Sequence, residues 1–339
     1  MPGLESDLTV AVTGPTGTFG FGLMPLLEAD PRIRRVVGIA RRPFDPAAHG
    51  WSKMEYRQGD VRDAEALTDA FGGADVVMHL AFLITGTASR EVTREVNVDG
   101  TLNAFRAAAA AGARRFVYAS SVAAYGFHRD NPVGMTEDWP ARPAARLFYA
   151  QEKAELEQLL ETASSSTPEL DLYLLRPPIV LGPHAMGAKD LLPGPLGAIG
   201  RRVARAVDRL PVPLPVPTPD LPLQLIHEED VGQAFLLCAV GAGPPGTYNL
   251  TGDGVLTGRD VARELGLAPL AVPARLVQAA ARGIAALPLP SFVPPVVEWA
   301  EAATHPSIMD ATKAKEVLGW RPRFTGLEAL RATLGGDRS

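Results

Sequence analysis

Leu8-Thr9-Val10-Ala11-Val12-Thr13-Gly14-Pro15-Thr16-Gly17-Thr18-Phe19-Gly20 runs from branched apolar residues into three glycines at a G-x-x-G-x-x-G spacing, and Phe21 to Ala29 follow. That order predicts a buried parallel strand, a tight turn and a helix. Glycines let the backbone turn sharply and lie close to an anion, which the free N–H groups and positive end of the following helix attract. Gly14, Thr16, Gly17, Thr18, Phe19 and Gly20 therefore read as a pyrophosphate cradle.

Working outward, Val36 to Ala40, Asp75 to Leu80, Arg115 to Ala119 and Leu170 to Leu175 repeat the strand signal with helical segments between them. The alternation predicts an α/β fold with a doubly wound parallel sheet. From Pro177 to Pro222 the chain is laden with proline, including Pro211 to Pro217, which excludes a central strand or a long helix there. The expected division is a dinucleotide-binding domain over 1–182 and 223–252, with a smaller, mostly helical substrate lobe over 183–222 and 253–335.

With 339 residues, 46% apolar and 21% charged, the chain can bury a large core. A net charge of -5 provides no field for a phosphate backbone, so a small molecule is expected as partner and nucleic acid is not. Cys238, the single cysteine, sits in the apolar run Ala234 to Ala239 and reads as a core residue, leaving no disulfide or cysteine metal site. Met1 to Asp7 lack a secretory pattern, and no apolar run reaches the roughly 20 residues of a membrane span. A cytoplasmic protein is expected. Leu267 to Pro290 could form an amphipathic helix, packed on its own domain or lying on a membrane surface.

Tyr149 and Lys153 lie four residues apart, hence on one helix face. A phenol titrating near 10 is a poor acid-base catalyst at neutral pH, and a neighbouring ammonium would favour its ionised form. Such a pair suits proton exchange with a substrate oxygen. At the end of the second strand, Arg41 and Arg42 stand where an acid would bind the ribose hydroxyls of NAD. This favours NADP(H) over NAD(H).

Taken together these motifs resemble the extended short-chain dehydrogenases/reductases, which include the NAD-dependent epimerases and dehydratases, over nearly the whole chain. The resemblance implies a Rossmann fold. It makes Asp60 and Val61, in Gly59 to Asp63, the adenine-contacting segment, and Leu80 and Ala81 a lining of the cofactor. It aligns Val117 to Gly126 with the active-site strand and loop, making Ser121 the catalytic hydroxyl beside Ser120, and Asn97 a helper for a proton-relay water. Lys153 would also bind the nicotinamide ribose, and Pro177, in Leu175-Arg176-Pro177, would border the cofactor. His227 in Ile226 to Val231 reads as a packing and capping residue, and Asp310, Lys313, Leu318-Gly319-Trp320 and Pro322 resemble the family's C-terminal signature. A homodimer is possible within the family.

The departures bear on substrate. Sugar dehydratases of the family carry Asp-Glu directly after the active-site hydroxyl, where this chain has Val122-Ala123. Nucleotide-sugar epimerases hold the substrate pyrophosphate with an Asn and an Arg at positions matching Ile179 and Leu223, leaving Arg201 or Arg202 as alternative phosphate partners. Unpaired phosphates would be desolvated at a cost. The expectation is an oxidoreductase acting on a hydroxyl or keto group of a hydrophobic small molecule. A nucleotide-sugar epimerase/dehydratase is the second reading, and a non-catalytic NADP-sensing protein the third.

Overall fold

The structure, a computed structural model, describes residues 6–84, 89–145, 147–185, 214–219, 221–273, 276 and 305–335. Strands β1 (Leu8–Thr13), β2 (Ile33–Ala40), β3 (Met54–Gln58), β4 (Val76–His79), β5 (Arg115–Ala119), β6 (Asp171–Arg176) and β11 (Gly246–Asn249) form one sheet in the order β3-β2-β1-β4-β5-β6-β11. Every pairing in it is parallel. This is the doubly wound Rossmann architecture, and its order reverses direction between β1 and β4, where ligands of such sheets bind at the carboxyl ends of the strands.

Parallel strands covered on both faces read as near-continuous apolar runs, and the middles of the central strands do so here. Val10, Val12, Met78, Val117 and Leu175 face one core, where α1 (Thr18–Ala29) contributes Leu23, Met24 and Leu27, and α6 (Glu228–Ala239) contributes Val231, Phe235 and Cys238. Alternate residues Ala11, Val37, Val77, Phe116 and Leu174 face the other core, under α2 (Ala64–Ala70), α4 (Gly100–Ala110) and α5 (Phe148–Ser165). Cys238 is fully buried, and burial pushes its thiol well above the usual range, which fits an inert core residue.

Beyond β6 lie three two-stranded pairs: β7 (Ile179–Leu181) with β10 (Leu225–His227), β9 (Pro222–Leu223) with β12 (Leu256–Thr257), and β8 (Pro215–Pro219) with β13 (Ala268–Val272). Of residues 223–252, expected in the dinucleotide-binding domain, only β11 joins the main sheet. β8 carries proline at every second residue, so its missing donors fall along one edge and the other edge can pair. The C-terminal part holds the helices α7 (Gly258–Glu264), α8 (Thr312–Val317) and α9 (Gly326–Gly335) together with β12 and β13. The amphipathic helix expected from Leu267 begins instead as β13, and its residues 274, 275 and 277–290 lie outside the described ones. Ala311, Ala314, Leu318 and Trp320 pack in the first core with Leu27 and Phe235. Trp320 donates through Nε1 to the Asp230 carbonyl at 2.8 Å.

α1 and α6 touch backbone to backbone. A Cβ on Gly22 would stand 2.1 Å from the Glu228 carbonyl oxygen, and one on Gly232 would stand 2.4 Å from the Gly22 oxygen. This crossing fixes the helix that follows the glycine turn. Gly22→Ala would gain about 1 kcal/mol of helix propensity, but overpacking rigid backbone costs about 1–3 kcal/mol and commonly more where nothing can yield. The clash should win, lowering the melting temperature by several degrees in thermal unfolding. An unchanged or raised midpoint would remove this account of the helix crossing.

Candidate active site

The glycine turn sits at the switch point. Gly14 has φ +71, and a Cβ there would come within 2.9 Å of Ala81 N, while one on Gly20 would meet Pro15 O at 2.0 Å. Both glycines are thus dictated by the chain's own packing. Gly17 differs, since an added Cβ would meet only Gly14 O at 3.5 Å, leaving room outside the turn. That room lies at the start of α1, whose cap residue offers no side-chain acceptor and whose first turn carries no acid. A pyrophosphate fits there. Phe19 packs on the first core with its ring 6.5 Å from that of Phe235, and Thr18 donates through Oγ1 to His184 O at 3.1 Å.

Arg41, Gln58, Gly59 and Asp60 line an open groove next to the turn. Both arginines are exposed. The Asp60 carboxylate accepts from Arg62 N, Nε and Nη2 at 2.9–3.1 Å, and Arg62 holds it below its usual range. Val61 is buried against Gly100, so a ligand in the groove meets its main chain. Leu80 N and Ala81 N approach Thr13, at its carbonyl (3.1 Å) and Oγ1 (3.4 Å), which seats the end of β4 beside the turn. These residues together fit the adenosine and pyrophosphate of a dinucleotide.

The catalytic candidates gather where α5 crosses the end of β5. Ser121 begins a short turn over Val122–Tyr125, and Pro177 O accepts from Val122 N at 2.9 Å, which brings the end of β6 alongside. Ser121 hydrogen-bonds Tyr149, whereas Ser120 donates to Glu157 Oε1 at 2.5 Å. Glu157 also accepts from Arg176 Nε (2.9 Å) and Nη2 (2.6 Å), forming a buried ion pair. The two adjacent serines therefore serve different partners.

Lys153 is 3% exposed and donates to Tyr118 Oη at 3.1 Å and Ala119 O at 2.6 Å. Its Nζ is 3.5 Å from the centroid of Phe82 but 5.8 Å from that of Tyr149. Burial lowers the Lys153 pKa to about 7 against the charges of Glu157 and Glu152. Burial likewise pushes Tyr149 up to about 12, with the Ser121 bond working the other way. The lysine thus does not lower the phenol's pKa here, contrary to the expectation from their spacing, because its donors are turned to β5.

Asn97 lies in a widened turn, Glu95–Asp99, between α3 (Arg90–Arg94) and α4. Such insertions recur at functional sites. Its Oδ1 accepts from Leu83 N at 2.7 Å, and Nδ2 donates to Leu83 O at 3.0 Å and to Glu152 Oε2 at 2.7 Å. Its carbonyl accepts from Thr101 Oγ1 at 2.5 Å. Asn97 thereby ties the segment after β4 to α5, and both its donors are used in doing so. His79 bridges Thr13 Oγ1 (2.9 Å) and Thr101 Oγ1 (3.0 Å), and burial together with the Lys153 charge lowers it to about 3, so it is neutral. His227 caps α6 through Nδ1 and stacks on Phe324 at 3.9 Å, as a packing residue would. Ile179 is 56% exposed at the head of β7, while Leu223 packs with Leu225, Leu256 and Leu330. Arg201 and Arg202 lie outside the described residues.

Phe82, Tyr118, Glu157 and Arg176 complete the site without having been singled out by role. An aromatic directly after Leu80-Ala81, and an acid at the i+4 position from Lys153, were the available signals.

The family model for the NAD dependent epimerase/dehydratase family matches residues 10–251. An uncharacterized protein of Mycobacterium tuberculosis is 28% identical over 338 residues, covering 95% of this chain and 82% of that one. Sterol demethylase protein B of Methylococcus capsulatus is 33% identical over 181 residues, 52% of each chain. Among solved structures, Thermus thermophilus UDP-glucose 4-epimerase in complex with NAD superposes with a TM-score of 0.68 at 25% identity, covering 98% of this chain and 99% of that one.

The displaced titration of Lys153 has a measurable sign. Between pH 7 and about 10.5 the unfolded chain binds a proton at this lysine that the folded chain does not, so folded stability rises with pH across that window. Lys153→Met should therefore be more stable than the wild type, most clearly at or below pH 7, with the gap narrowing toward pH 10. Denaturant unfolding at several pH values measures this, and a variant less stable at pH 7 would count against a strained ammonium.

Proposed function

Because the chain belongs to the NAD dependent epimerase/dehydratase family, we propose that it is a nicotinamide-dependent oxidoreductase acting on a hydroxyl or keto carbon of a hydrophobic small molecule. The observation that carries this reading is the apolar setting of the proton-bearing group. Tyr149 packs against the cluster of Ala123, Ala144, Leu147 and Ala150, as Phe127 does, and Phe82 stands edge-on to it at 5.6 Å. Exposed Ile179 and apolar Leu223 add to it, since neither could pair with a substrate phosphate. The partial likeness to sterol demethylase protein B points the same way.

Gly14, Thr16, Gly17 and the amides opening α1 would hold the pyrophosphate, Asp60 and the Val61 main chain the adenine, and Leu80, Ala81 and Pro177 the inner part of the dinucleotide. When bound, the nicotinamide supplies or accepts the hydride. Ser121 would orient the substrate oxygen. Tyr149 keeps its proton at neutral pH and can hand it to an oxygen gaining negative charge. Withdrawing a proton from an alcohol requires a lower phenol pKa, and hence the Lys153 ammonium nearer to Tyr149. Asn97 would hold α5 and the segment after β4 in register.

A nucleotide-sugar epimerase is the second reading, favoured by the family description and by the likeness to UDP-glucose 4-epimerase along nearly the whole of both chains. Calorimetry with UDP- and dTDP-sugars, beside a turnover screen of sterol-like and other apolar alcohols and ketones, separates the two. The expected outcome is no sugar-nucleotide binding at physiological concentration and turnover of an apolar carbonyl or alcohol, abolished in Tyr149→Phe. Micromolar binding of a nucleotide sugar without such turnover establishes the second reading. Dinucleotide binding with neither activity would favour a sensor.

Exposed Arg41 and Arg42 support a preference for NADP(H), whose 2′-phosphate two guanidinium groups can pair. NADPH should bind more tightly than NADH at low salt, with the difference fading at high salt and in the Arg41→Ala/Arg42→Ala variant. Equal dissociation constants for the two in the wild type would reverse the assignment.

A further inference from the structure

An ammonium has three N–H donors, and the surroundings of Lys153 take up each direction. Two donors reach Tyr118 Oη and Ala119 O, and the third side faces the Phe82 ring, whose centroid is 3.5 Å from Nζ. The same ring meets Tyr149 edge-on, with centroids 5.6 Å apart and planes at 89°. On one side of Phe82, Ala81 lies against Gly14 of the glycine turn. On the other, Leu83 is clamped by both ends of the Asn97 amide. Three consecutive residues therefore bridge the dinucleotide cradle to the lysine, with a ring lying over the nitrogen.

We propose that Phe82 is a positioning residue for Lys153: its ring holds the ammonium screened on Tyr118 and Ala119, and gives up that place to the ribose hydroxyls of a bound nicotinamide dinucleotide. The inference rests on the reading of Lys153 as the ribose-binding residue. Cation–π contact strengthens as the cation loses water, and Lys153 is buried while the Phe82 ring over it is half-buried. Any hydroxyl that is to accept from Nζ must displace either the ring or a bond to β5. Apparent affinity is then reduced by the fraction of molecules in which the nitrogen is screened. Releasing the ring would also free Lys153 to swing toward Tyr149, the movement that proton withdrawal by the phenol requires.

The test compares Phe82→Ala, which removes the ring, with Phe82→Tyr, which keeps it, and reads two quantities besides turnover. One is the dissociation constant for NADPH and NADH by fluorescence titration. The other is the rate at which Lys153 is reductively methylated by formaldehyde and cyanoborohydride without dinucleotide, followed by peptide mass spectrometry at pH 7.5. With its pKa near 7, Lys153 is divided between ammonium and free amine at that pH, so the screened ammonium and the reactive amine are both populated and access governs the rate. Phe82→Ala should bind dinucleotide about tenfold more tightly and be methylated about tenfold faster, and Phe82→Tyr should match the wild type. A folded Phe82→Ala variant with unchanged or weaker binding and unchanged labelling overturns the proposal, as does a Phe82→Tyr variant that behaves like Phe82→Ala. Should Phe82→Ala fail to fold, Phe82→Leu must shift both quantities in the same direction, and wild-type values in it overturn the proposal equally. Lys153→Ala tests the premise separately, since undiminished dinucleotide binding in that variant would refute the ribose reading itself.

Discussion

Tyr149, Lys153 and Glu157 recur at four-residue intervals along α5, so they form a single ridge, and that ridge bonds to four consecutive positions at the end of β5. Lys153 takes Tyr118 and Ala119, Glu157 takes Ser120, and Tyr149 takes Ser121. Helix and strand are thereby registered against one another by polar bonds rather than by shape alone. The register is stiffened by the Glu157–Arg176 pair, which also reaches β6. Breaking a buried pair of this kind by removing one partner typically costs about 3–5 kcal/mol, because it strands the other charge.

The same junction explains the spread of proton affinities around it. Burial opposes the Arg176 charge, yet Glu157 more than offsets that and leaves its pKa raised. Lys153 bonds to neutral oxygens and, among the described residues, pairs with no carboxylate, so burial prevails and its affinity falls. Tyr118 is buried beside Tyr149 and Glu157 and keeps its proton firmly. Glu152, one residue from Lys153, is raised by burial although Asn97 donates to it. The site thus gathers several groups whose proton affinities burial has displaced, as functional sites often do.

How much of this could be read from sequence follows from the range of each interaction. The strand, glycine turn and helix at Leu8 to Ala29 are local and carry their own periodicity, and five of the seven sheet strands repeat the same signal, whereas the edge strands β3 and β11 are too polar to carry it. Tyr149 and Lys153 share a face because of their spacing, and the structure does place Tyr149 on Ser121. The direction in which Lys153 points was not legible, since it depends on Phe82, 71 positions earlier in the chain. Gly22 against Gly232 carried no signal either, because neither glycine breaks its helix and only their crossing requires them. The small strands beyond β6 escaped notice for a different reason: at two to five residues they are too short for alternation to stand out from proline-rich sequence.

Trp320 and its neighbours Ala311, Ala314 and Leu318 reach back to close the core under α1 and α6, and Asp230 secures the crossing by accepting from Arg323 N at 2.7 Å and Phe324 N at 3.2 Å. The consequence concerns synthesis. The last strand of the sheet ends at Asn249, yet the hydrophobic seat of Trp320 stays unfilled until some 70 further residues have been made, a delay of roughly 4–14 s at roughly 5–20 residues per second. Throughout that interval the nascent sheet exposes apolar surface to the ribosomal surroundings. The core under α1 and α6 is therefore completed only once Trp320 has emerged, and truncation short of Trp320 would leave it at that unfinished stage.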